Sequence, residues 1–232
     1  MKAVATVLLF SLLVACSSIP RDPEGTLERV RGDVLRVGFT DAPPFAEGPA
    51  DDPSGIEVDL VEQFAEELDA SVEWVKGAEA ELFEALEVRA LDLVIGGYGA
   101  SDPWVASVGV TRPYATTRLT VGVPEGQPPP DDLAGLMIVV EKGSEAHGLV
   151  VAAGATPDVT DDISDIGTLL GPAAVDEWLL DDLGLADSQH YLAETKHVLG
   201  APLGENAFLV ELERFLFRER DAIRAAIGEA GE

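Results

Sequence analysis

Basic residues are scarce in this sequence of 232 residues. Lysine and arginine together number 15 against 43 aspartates and glutamates, which gives a formal net charge of −28. A surface with this charge repels the phosphates of nucleic acid and of anionic lipid. We therefore exclude nucleic acid as a partner. The acidity is compatible with a solvated surface that keeps the protein soluble and with attraction of a cationic ligand, and the sequence leaves both open.

Cysteine is nearly absent, since Cys16 is the only one. A single thiol excludes an intrachain disulfide framework. Cys16 follows the apolar run from Ala3 to Ala15, which is too short to span a bilayer as a helix but has the length of a signal-peptide core. Ala15 directly before Cys16 is typical of a bacterial lipobox, so we predict a lipoprotein signal peptide over residues 1–15 and lipidation of Cys16. An ordinary signal peptide with an incidental cysteine is the alternative.

Catalytic and cofactor motifs are also missing. The three histidines, His147, His190 and His197, do not have the H-x-x-x-H spacing of a metal site. The sequence contains no G-x-S-x-G, no Walker loop and no complete G-x-G-x-x-G. We therefore predict no cofactor, no metal site and no enzymatic activity.

The sequence does contain alternating strand and helix patterns. Residues 16–32 are polar and interrupted by prolines, and we interpret them as a tether. From residue 33 onward, apolar residues alternate between strand and helix periods, which predicts a doubly wound α/β fold. The predicted strands are 34–39, 71–75, 91–95, 118–123, 136–140 and 191–199, and the predicted helices are 57–68, 79–89, 145–153 and 204–227. Residues 154–165 are predicted to be a polar connection.

The order of short motifs in the chain resembles a known family. VLRVGF is followed by a Pro-Pro-Phe turn, GIEVDL opens a helix, LDLVIGG ends a strand in two glycines, and TRPY follows. DDLAG with IVVEKGS, then VDEWLLDD and GENAFLVELERFL, continue the pattern. Together they resemble the bacterial extracellular solute-binding proteins of family 3, the amino-acid-type receptors of ABC importers. The resemblance covers roughly residues 33 to 228.

The resemblance implies a two-lobed periplasmic-binding-protein fold of type II, in which each lobe is a doubly wound sheet. Lobe 1 would comprise residues 33–121 and 200–232, and lobe 2 residues 122–199, with crossings near 119–124 and 194–200. The implied function is capture of a small polar solute, an amino acid or a related compound, in the cleft between the lobes. The lobes would close on it by hinge motion.

The resemblance also implies partners and a location. The expected partners are the solute and an ABC permease, and the protein is expected to be a monomer. It would be held to a membrane by lipid on Cys16, either in the periplasm or on the outer face of the cytoplasmic membrane.

The first-lobe ligand residues implied by the resemblance lie after two strands. Asp41 and Phe45 line the turn after the first strand, and the loop at Gly97, Tyr98 and Gly99 follows the glycine-ended strand. In family members that bind amino acids, an arginine later in that loop grips the α-carboxylate. Trp104 stands at that position here, and an indole offers one N–H and a ring face in place of a bidentate guanidinium. The identity of the ligand is therefore not determined by the sequence.

The second-lobe ligand residues implied by the resemblance are Ser144 and Asp181. Ser144 precedes a predicted helix, where a hydroxyl serves either a bound anion or a plain N-cap. Asp181 matches the family's aspartate for an α-amino group, and its alternative role is that of a solvated loop acid.

Two other functions occur on the same fold. One is an enzyme similar to cyclohexadienyl or prephenate dehydratase, which needs cationic groups for two substrate carboxylates. The other is a module that presents ligand state to a partner. Fold alone does not separate these functions from solute capture.

Overall fold

The structure is a computed structural model that describes residues 21–163 and 170–229. The predicted signal peptide and Cys16 lie outside the described residues. The described residues form two mixed α/β units, each built on a five-stranded sheet, which we call the first and second lobe. The helices are α1 (Thr26–Val30), α2 (Ile56–Glu67), α3 (Glu79–Glu87), α4 (Ala146–Ala152) and α5 (Asn206–Glu229), and the strands are β1 (Val34–Phe39), β2 (Ser71–Lys76), β3 (Leu93–Ile95), β4 (Gly109–Val110), β5 (Ala115–Pro124), β6 (Met137–Glu141), β7 (Thr156–Thr160), β8 (Ala173–Asp176), β9 (Leu185–His197) and β10 (Gly200–Ala201).

The first sheet has the strand order β2-β1-β3-β10-β4. β1 is parallel to both β2 and β3, and β10 is antiparallel to β3 and β4. The burial of all three residues of β3 agrees with its continuous apolar sequence, because helices cover both faces of a parallel sheet. The carboxyl ends of β1 and β3 therefore lie together at one edge of the first lobe.

The second sheet repeats this arrangement with the order β7-β6-β8-β5-β9. β6 is parallel to β7 and β8, and β5 is antiparallel to β8 and β9. The two sheets thus share a plan of three parallel strands extended by two antiparallel partners. The α/β fold with two doubly wound lobes, predicted from the sequence, is confirmed.

The chain passes between the sheets in two short stretches. It leaves β4 at Val110 and enters β5 at Ala115, and it leaves β9 at His197 and enters β10 at Gly200. Ala115 pairs with His197, so the two passages lie side by side. The first passage precedes the expected crossing at 119–124, and the assignment of residues 33–121 and 122–199 to separate lobes stays a prediction.

Each lobe has its own apolar core. Phe39 of β1, Phe64 of α2 and Phe208 of α5 meet in the first lobe, and Val121, Ile138 and Val140 pack under α4 in the second. The predicted apolar stripes of the helices are confirmed, because these residues are buried: Val58, Val61, Phe64, Ala65 and Leu68 near α2, Leu82, Phe83 and Leu86 in α3, and Phe208, Leu212, Phe215 and Leu216 in α5.

The described part of the predicted tether is folded. Within it, α1 buries Thr26 and Val30. Asp22 accepts hydrogen bonds from the backbone N–H groups of Ala207 and Phe208, at 2.6 and 3.0 Å, at the start of α5. The backbone N–H of Thr26 donates to Glu205. Residues 22–30 therefore belong to the first lobe, and this part of the tether interpretation is corrected.

Four strands were missed by the sequence analysis, namely the two-residue strands β4 and β10 and the longer strands β7 and β8. Residues 156–160 form β7, an edge strand paired in parallel with β6, where a polar connection was expected. Its sequence, TPDVT, is largely exposed and contains Pro157, which an edge strand tolerates because one side of it makes no ladder hydrogen bonds. Within the described ranges, no helix has the length and apolar character needed to cross a membrane.

Candidate functional site

The carboxyl edges of the two sheets contribute the loops of the candidate site. In open α/β sheets, ligands bind beyond the carboxyl ends of parallel strands. In the first lobe these loops follow β1 and β3, and in the second lobe they follow β6 and β8. The loop after β1 carries Phe45, and the segment after β8 carries Trp178. Their rings meet edge to face with centroids 6.1 Å apart, so the two edges are in contact.

The glycine pair after β3 is held by a buried carboxylate. Glu57 has no exposed surface, and its Oε2 accepts hydrogen bonds from the N–H groups of Gly96 (2.6 Å) and Gly97 (3.0 Å). Its Oε1 accepts the hydroxyl of Tyr114 at 2.5 Å. Burial raises the pKa of Glu57, and the hydrogen bonds from Tyr114, Gly97 and Gly96 oppose that rise. Glu57 thus fixes the loop after β3 relative to the first passage between the lobes.

Glycine is required at position 97 on two grounds. Its φ of +67° lies in the left-handed region, and a Cβ there would come within 2.7 Å of the Phe45 ring. The backbone of Gly97 therefore lies directly against the ring of Phe45.

His197, at the end of β9, connects this loop to the second passage. Its Nδ1 lies 2.9 Å from the carbonyl oxygen of Gly97, and its Nε2 lies 2.7 Å from the Thr117 hydroxyl. Since a carbonyl only accepts, Nδ1–H donates to Gly97, and in the neutral ring Nε2 accepts from Thr117. The imidazole lies against Phe45 at a centroid distance of 4.3 Å. Burial lowers the pKa of His197, which favours this neutral form.

The carboxyl edge of the second sheet is acidic. Burial raises the pKa of Asp176 to about 6, and the charges of Glu145 and Glu177 add to the rise. Asp176 ends β8, Glu177 follows it, and Glu145 precedes α4. A positively charged group placed here would lower the mutual repulsion of these acids.

A cavity of about 700 Å³ lies beside the aromatic contact. Its volume falls within the range of small-molecule sites. It is bounded by the first passage, by residues after β8 and by the second half of α5. The lining residues are Arg112, Pro113, Tyr114, Ala115, Thr116, Glu177, Trp178, Leu180, Asp181, Glu213, Leu216, Phe217, Arg220, Ile223, Arg224, Ile227 and Gly228. Among the described residues, no group of three His, Cys, Asp or Glu side chains is placed to hold a metal ion.

Three of the predicted ligand residues come together in the structure. Phe45 and Gly97 are in contact, and Gly99 forms an isolated bridge with His197. The N–H of Gly99 donates to Asp102 at 2.7 Å, which closes the loop on itself. Their roles toward a ligand stay predictions.

The other predicted first-lobe residues lie apart from this group. Asp41 is exposed and forms an ion pair with Lys76 at 2.6 Å. The ring of Tyr98 is buried against Phe83, and its hydroxyl has no hydrogen-bond partner among the described residues. Trp104 is 40% exposed and stacks on Phe83 at 6.4 Å. Trp104 and the Tyr98 ring therefore pack on the α3 side of the first lobe.

The predicted second-lobe residues lie in different surroundings. The Ser144 hydroxyl donates to the carbonyl oxygen of Glu141 at 2.7 Å, and the N-cap of α4 is Glu145. The plain N-cap alternative for Ser144 is therefore wrong by one residue. Asp181 is exposed and lines the cavity.

Glu57, His197 and Trp178 were missed as site residues in the sequence analysis. Glu57 stands in a helix-opening motif, where an acid has an ordinary explanation in the helix dipole. The partners of His197 are 80 and 100 positions away in the sequence, so no local pattern identifies it. The sequence does contain a signal for Trp178, because it lies inside VDEWLLDD, three positions before the predicted ligand residue Asp181.

Comparison with known proteins shows a family whose model matches most of this chain. Residues 35–230 match the model of the bacterial extracellular solute-binding proteins, family 3. The chain is 30% identical over 202 residues to membrane-bound lytic murein transglycosylase F of Pseudomonas putida (strain GB-1), a match that covers 81% of this chain. It spans 41% of the length of that relative.

Solved structures show the same fold at low sequence identity. The unliganded, open L-cystine solute receptor of Neisseria gonorrhoeae has a TM-score of 0.72 and 18% identity, with coverage of 89% of this chain and 97% of that one. The second substrate-binding domain of a putative amino acid ABC transporter from Streptococcus pneumoniae has a TM-score of 0.67 and 16% identity, with coverage of 85% and 100%.

Proposed function

The chain belongs to the bacterial extracellular solute-binding proteins of family 3, and on this premise we propose that it captures an amino acid or a related small polar compound between its lobes. The observation that carries the proposal is the contact of Phe45 with Trp178. It brings together the loops that follow β1 and β8, and hence the ligand-binding edges of both sheets. A solute enclosed from both sides gains contacts that offset its lost freedom.

The proposed ligand contacts come from both edges. Phe45 and the backbone around Gly97 and Gly99 form the first-lobe side, and His197 holds the Gly97 peptide in place. The acidic second-lobe edge around Asp176 supports a ligand with a cationic group, such as an α-ammonium. Asp41, Tyr98, Trp104, Ser144 and Asp181 remain proposed contacts that the resemblance implies.

A thermal-shift screen tests solute capture. Purified protein is melted with each natural amino acid, with di- and polyamines and with small organic acids at neutral pH. Binding to the folded state alone stabilises it by about 2.7 kcal/mol at a hundredfold excess over Kd. We expect at least one compound to raise the melting temperature. If none does so at millimolar concentration, the proposal is wrong.

We also propose that the protein is a lipoprotein that delivers its solute to an ABC permease at the cell envelope. The lipobox-like run before Cys16 supports the anchor. A solved neighbour that is the second substrate-binding domain of a putative amino acid ABC transporter supports the partner. Expression of Cys16→Ala beside the natural sequence tests the anchor by fractionation. The natural sequence should sediment with membranes and the variant should not; equal distribution would contradict lipidation.

Dehydratase activity and ligand sensing are the other candidates. Solved neighbours include a precursor of cyclohexadienyl dehydratase, and the murein transglycosylase relative joins a similar segment to a longer chain. We propose that this chain is not an enzyme. Incubation with prephenate and arogenate, followed by chromatography, tests this, because turnover of either compound would establish the dehydratase instead.

A further inference from the structure

The cavity of about 700 Å³ is shared by both lobes. Its first wall is the second half of α5, which belongs to the first lobe through the contact of Phe215 with Phe64. Its second wall is the segment of residues 177–181 that follows β8 of the second lobe. Trp178 lines this cavity and also contacts Phe45 at the proposed solute site. The cavity is therefore a neighbour of the strand-edge loops but is built from different elements.

The two walls carry opposite charges. The α5 wall contributes Arg220 and Arg224, and the opposite segment contributes Glu177 and Asp181. Glu213 of α5 also lines the cavity, but it is paired at 3.0 Å with Arg112 of the first passage. Charges of opposite sign on facing walls favour a ligand that carries both signs, with each end near its complement. The overall charge of −28 does not indicate that two arginines lie together on this wall.

The charged groups of these walls are weakly engaged within the protein. The guanidinium groups of Arg220 and Arg224 lie 3.8 and 3.6 Å from the same carboxylate, that of Asp221, and all three side chains are at least half exposed. Exposed pairs of this kind contribute little to stability. Among the described residues, no basic group lies within 4.0 Å of the Asp181 carboxylate. The Arg220 guanidinium also donates to the carbonyl oxygen of Phe217 at 3.0 Å, and Glu177 lies 3.8 Å from Arg118. Arg220, Arg224 and Asp181 are therefore available to a ligand at small cost in existing ion pairs.

Apolar and aromatic surfaces line the space between the charged walls. Trp178, Leu180, Phe217 and Ile223 all line the cavity. The guanidinium of Arg220 lies 4.6 Å from the Phe217 ring, and this cation–π contact orients it on the α5 wall. A ligand that fits this lining has apolar side chains between two charged ends, and the volume suits a molecule of drug size.

We propose that this cavity binds a short apolar peptide, with its carboxylate on Arg220 and Arg224, its ammonium on Asp181 and its side chains against Trp178 and Phe217. The inference rests on the proposed function, since it names a solute class and uses Asp181, one of the proposed ligand contacts, to hold the ammonium.

Titration calorimetry with the dipeptide leucyl-phenylalanine tests this inference. Wild-type protein should bind it, and capping either end, as the N-acetyl peptide or the C-terminal amide, should weaken binding at least tenfold. The double variant Arg220→Gln/Arg224→Gln should weaken binding of the free dipeptide at least tenfold, and so should Asp181→Asn. The double variant should bind the amide and the free dipeptide with similar Kd. All these side chains are exposed, and circular dichroism melts verify that the variants fold.

The matched control is Arg214→Gln, an exposed arginine of α5 outside the cavity lining, which should bind like wild type. The inference is overturned if the dipeptide does not bind, or if the Arg220/Arg224 variant binds it as wild type does. If a free amino acid binds in either of those cases, the proposed solute capture stands and only this site is wrong. If no solute of any kind binds, both proposals fail.

Discussion

Glu57 shows how one buried acid organises a binding loop. The backbone at Gly96 and Gly97 turns two N–H groups toward the same carboxylate oxygen, and the other oxygen holds Tyr114 at the passage between the lobes. A buried N–H without a partner costs about 1–3 kcal/mol. The loop that carries Gly97 and Gly99 is therefore anchored by a fully buried side chain.

Replacement of Glu57 by alanine should destabilise the fold and loosen this loop. Two N–H groups and a hydroxyl lose their acceptor, so we expect the free energy of unfolding to fall by about 2–5 kcal/mol. Urea denaturation measures the loss. Glu66→Ala, on the exposed face of α2, is the control and should change stability by less than about 0.5 kcal/mol. A Glu57→Ala variant as stable as the control would show that the carboxylate is dispensable.

Asp176 makes stability depend on pH. Its pKa is raised from 3.8 to about 6, first by burial and then by the charges of Glu145 and Glu177, so the native state favours the protonated form. A raised carboxyl pKa contributes stability below pH 4, and this contribution is lost as pH rises through 6. At neutral pH the ionised group is therefore a cost to the folded state.

Asp176→Asn should remove that cost. At pH 7.5 we expect the variant to be more stable than wild type by about 1–2 kcal/mol, and at pH 4 we expect no difference. Urea denaturation at both pH values measures this, with the exposed Asp182→Asn as the control. An equal effect of Asp176→Asn at the two pH values would mean that its charge is not the cause.

At the scale of elements, the N-terminal segment and α5 stabilise each other. Asp22 supplies an acceptor at the start of α5, where backbone N–H groups lack helical partners, and Glu205 accepts from the N–H groups of Glu24 and Thr26 in return. Arg29 of α1 and Arg36 of β1 both pair with the buried Asp92 before β3. The segment thus ties the first element of the lobe to its last.

Asp22→Ala should weaken α5. Loss of a capping carboxylate costs about 1–2 kcal/mol, and hydrogen exchange at Ala207 and Phe208 should accelerate more than exchange at Leu212. Glu28→Ala, an exposed acid of α1, is the control and should leave exchange unchanged. Equal protection of the first turn of α5 in Asp22→Ala and in wild type would contradict the capping role.

Sequence patterns predict the elements of this fold where burial is periodic. The stripe of α5, from Phe208 to Leu216, repeats at helical spacing, and its members are buried as expected. β7 escapes such prediction because TPDVT gains its strand conformation from pairing with β6 and not from its own alternation. The N-terminal segment escapes for a related reason, since Asp22 contacts residues about 185 positions away.

The candidate site is less predictable than the fold. The resemblance indicates the loops after the parallel strands, and Phe45 and Gly97 meet there, while their role toward a ligand stays a prediction. It does not indicate that the Tyr98 ring is buried against Phe83, nor that His197 supports the Gly97 peptide. The reason is physical: the direction of a loop side chain depends on partners that are distant in sequence.

At the scale of the whole molecule, two lobes of the same strand order enclose aromatic, acidic and basic surfaces at their junction. The aromatic contact of Phe45 with Trp178 joins the lobes at one point, and the cavity beside α5 joins them at another. A solute that touches both lobes changes the balance between open and closed arrangements, because it stabilises the arrangement in which both walls reach it. Solute capture is therefore the function that gives a role to both the aromatic contact and the cavity at the junction of the lobes.

The most direct test of solute capture is isothermal titration calorimetry of the purified protein with the natural amino acids and with the dipeptide leucyl-phenylalanine. The account predicts saturable binding of at least one of these solutes, with one molecule bound per chain. Absence of saturable heat for every solute at millimolar concentration would contradict it.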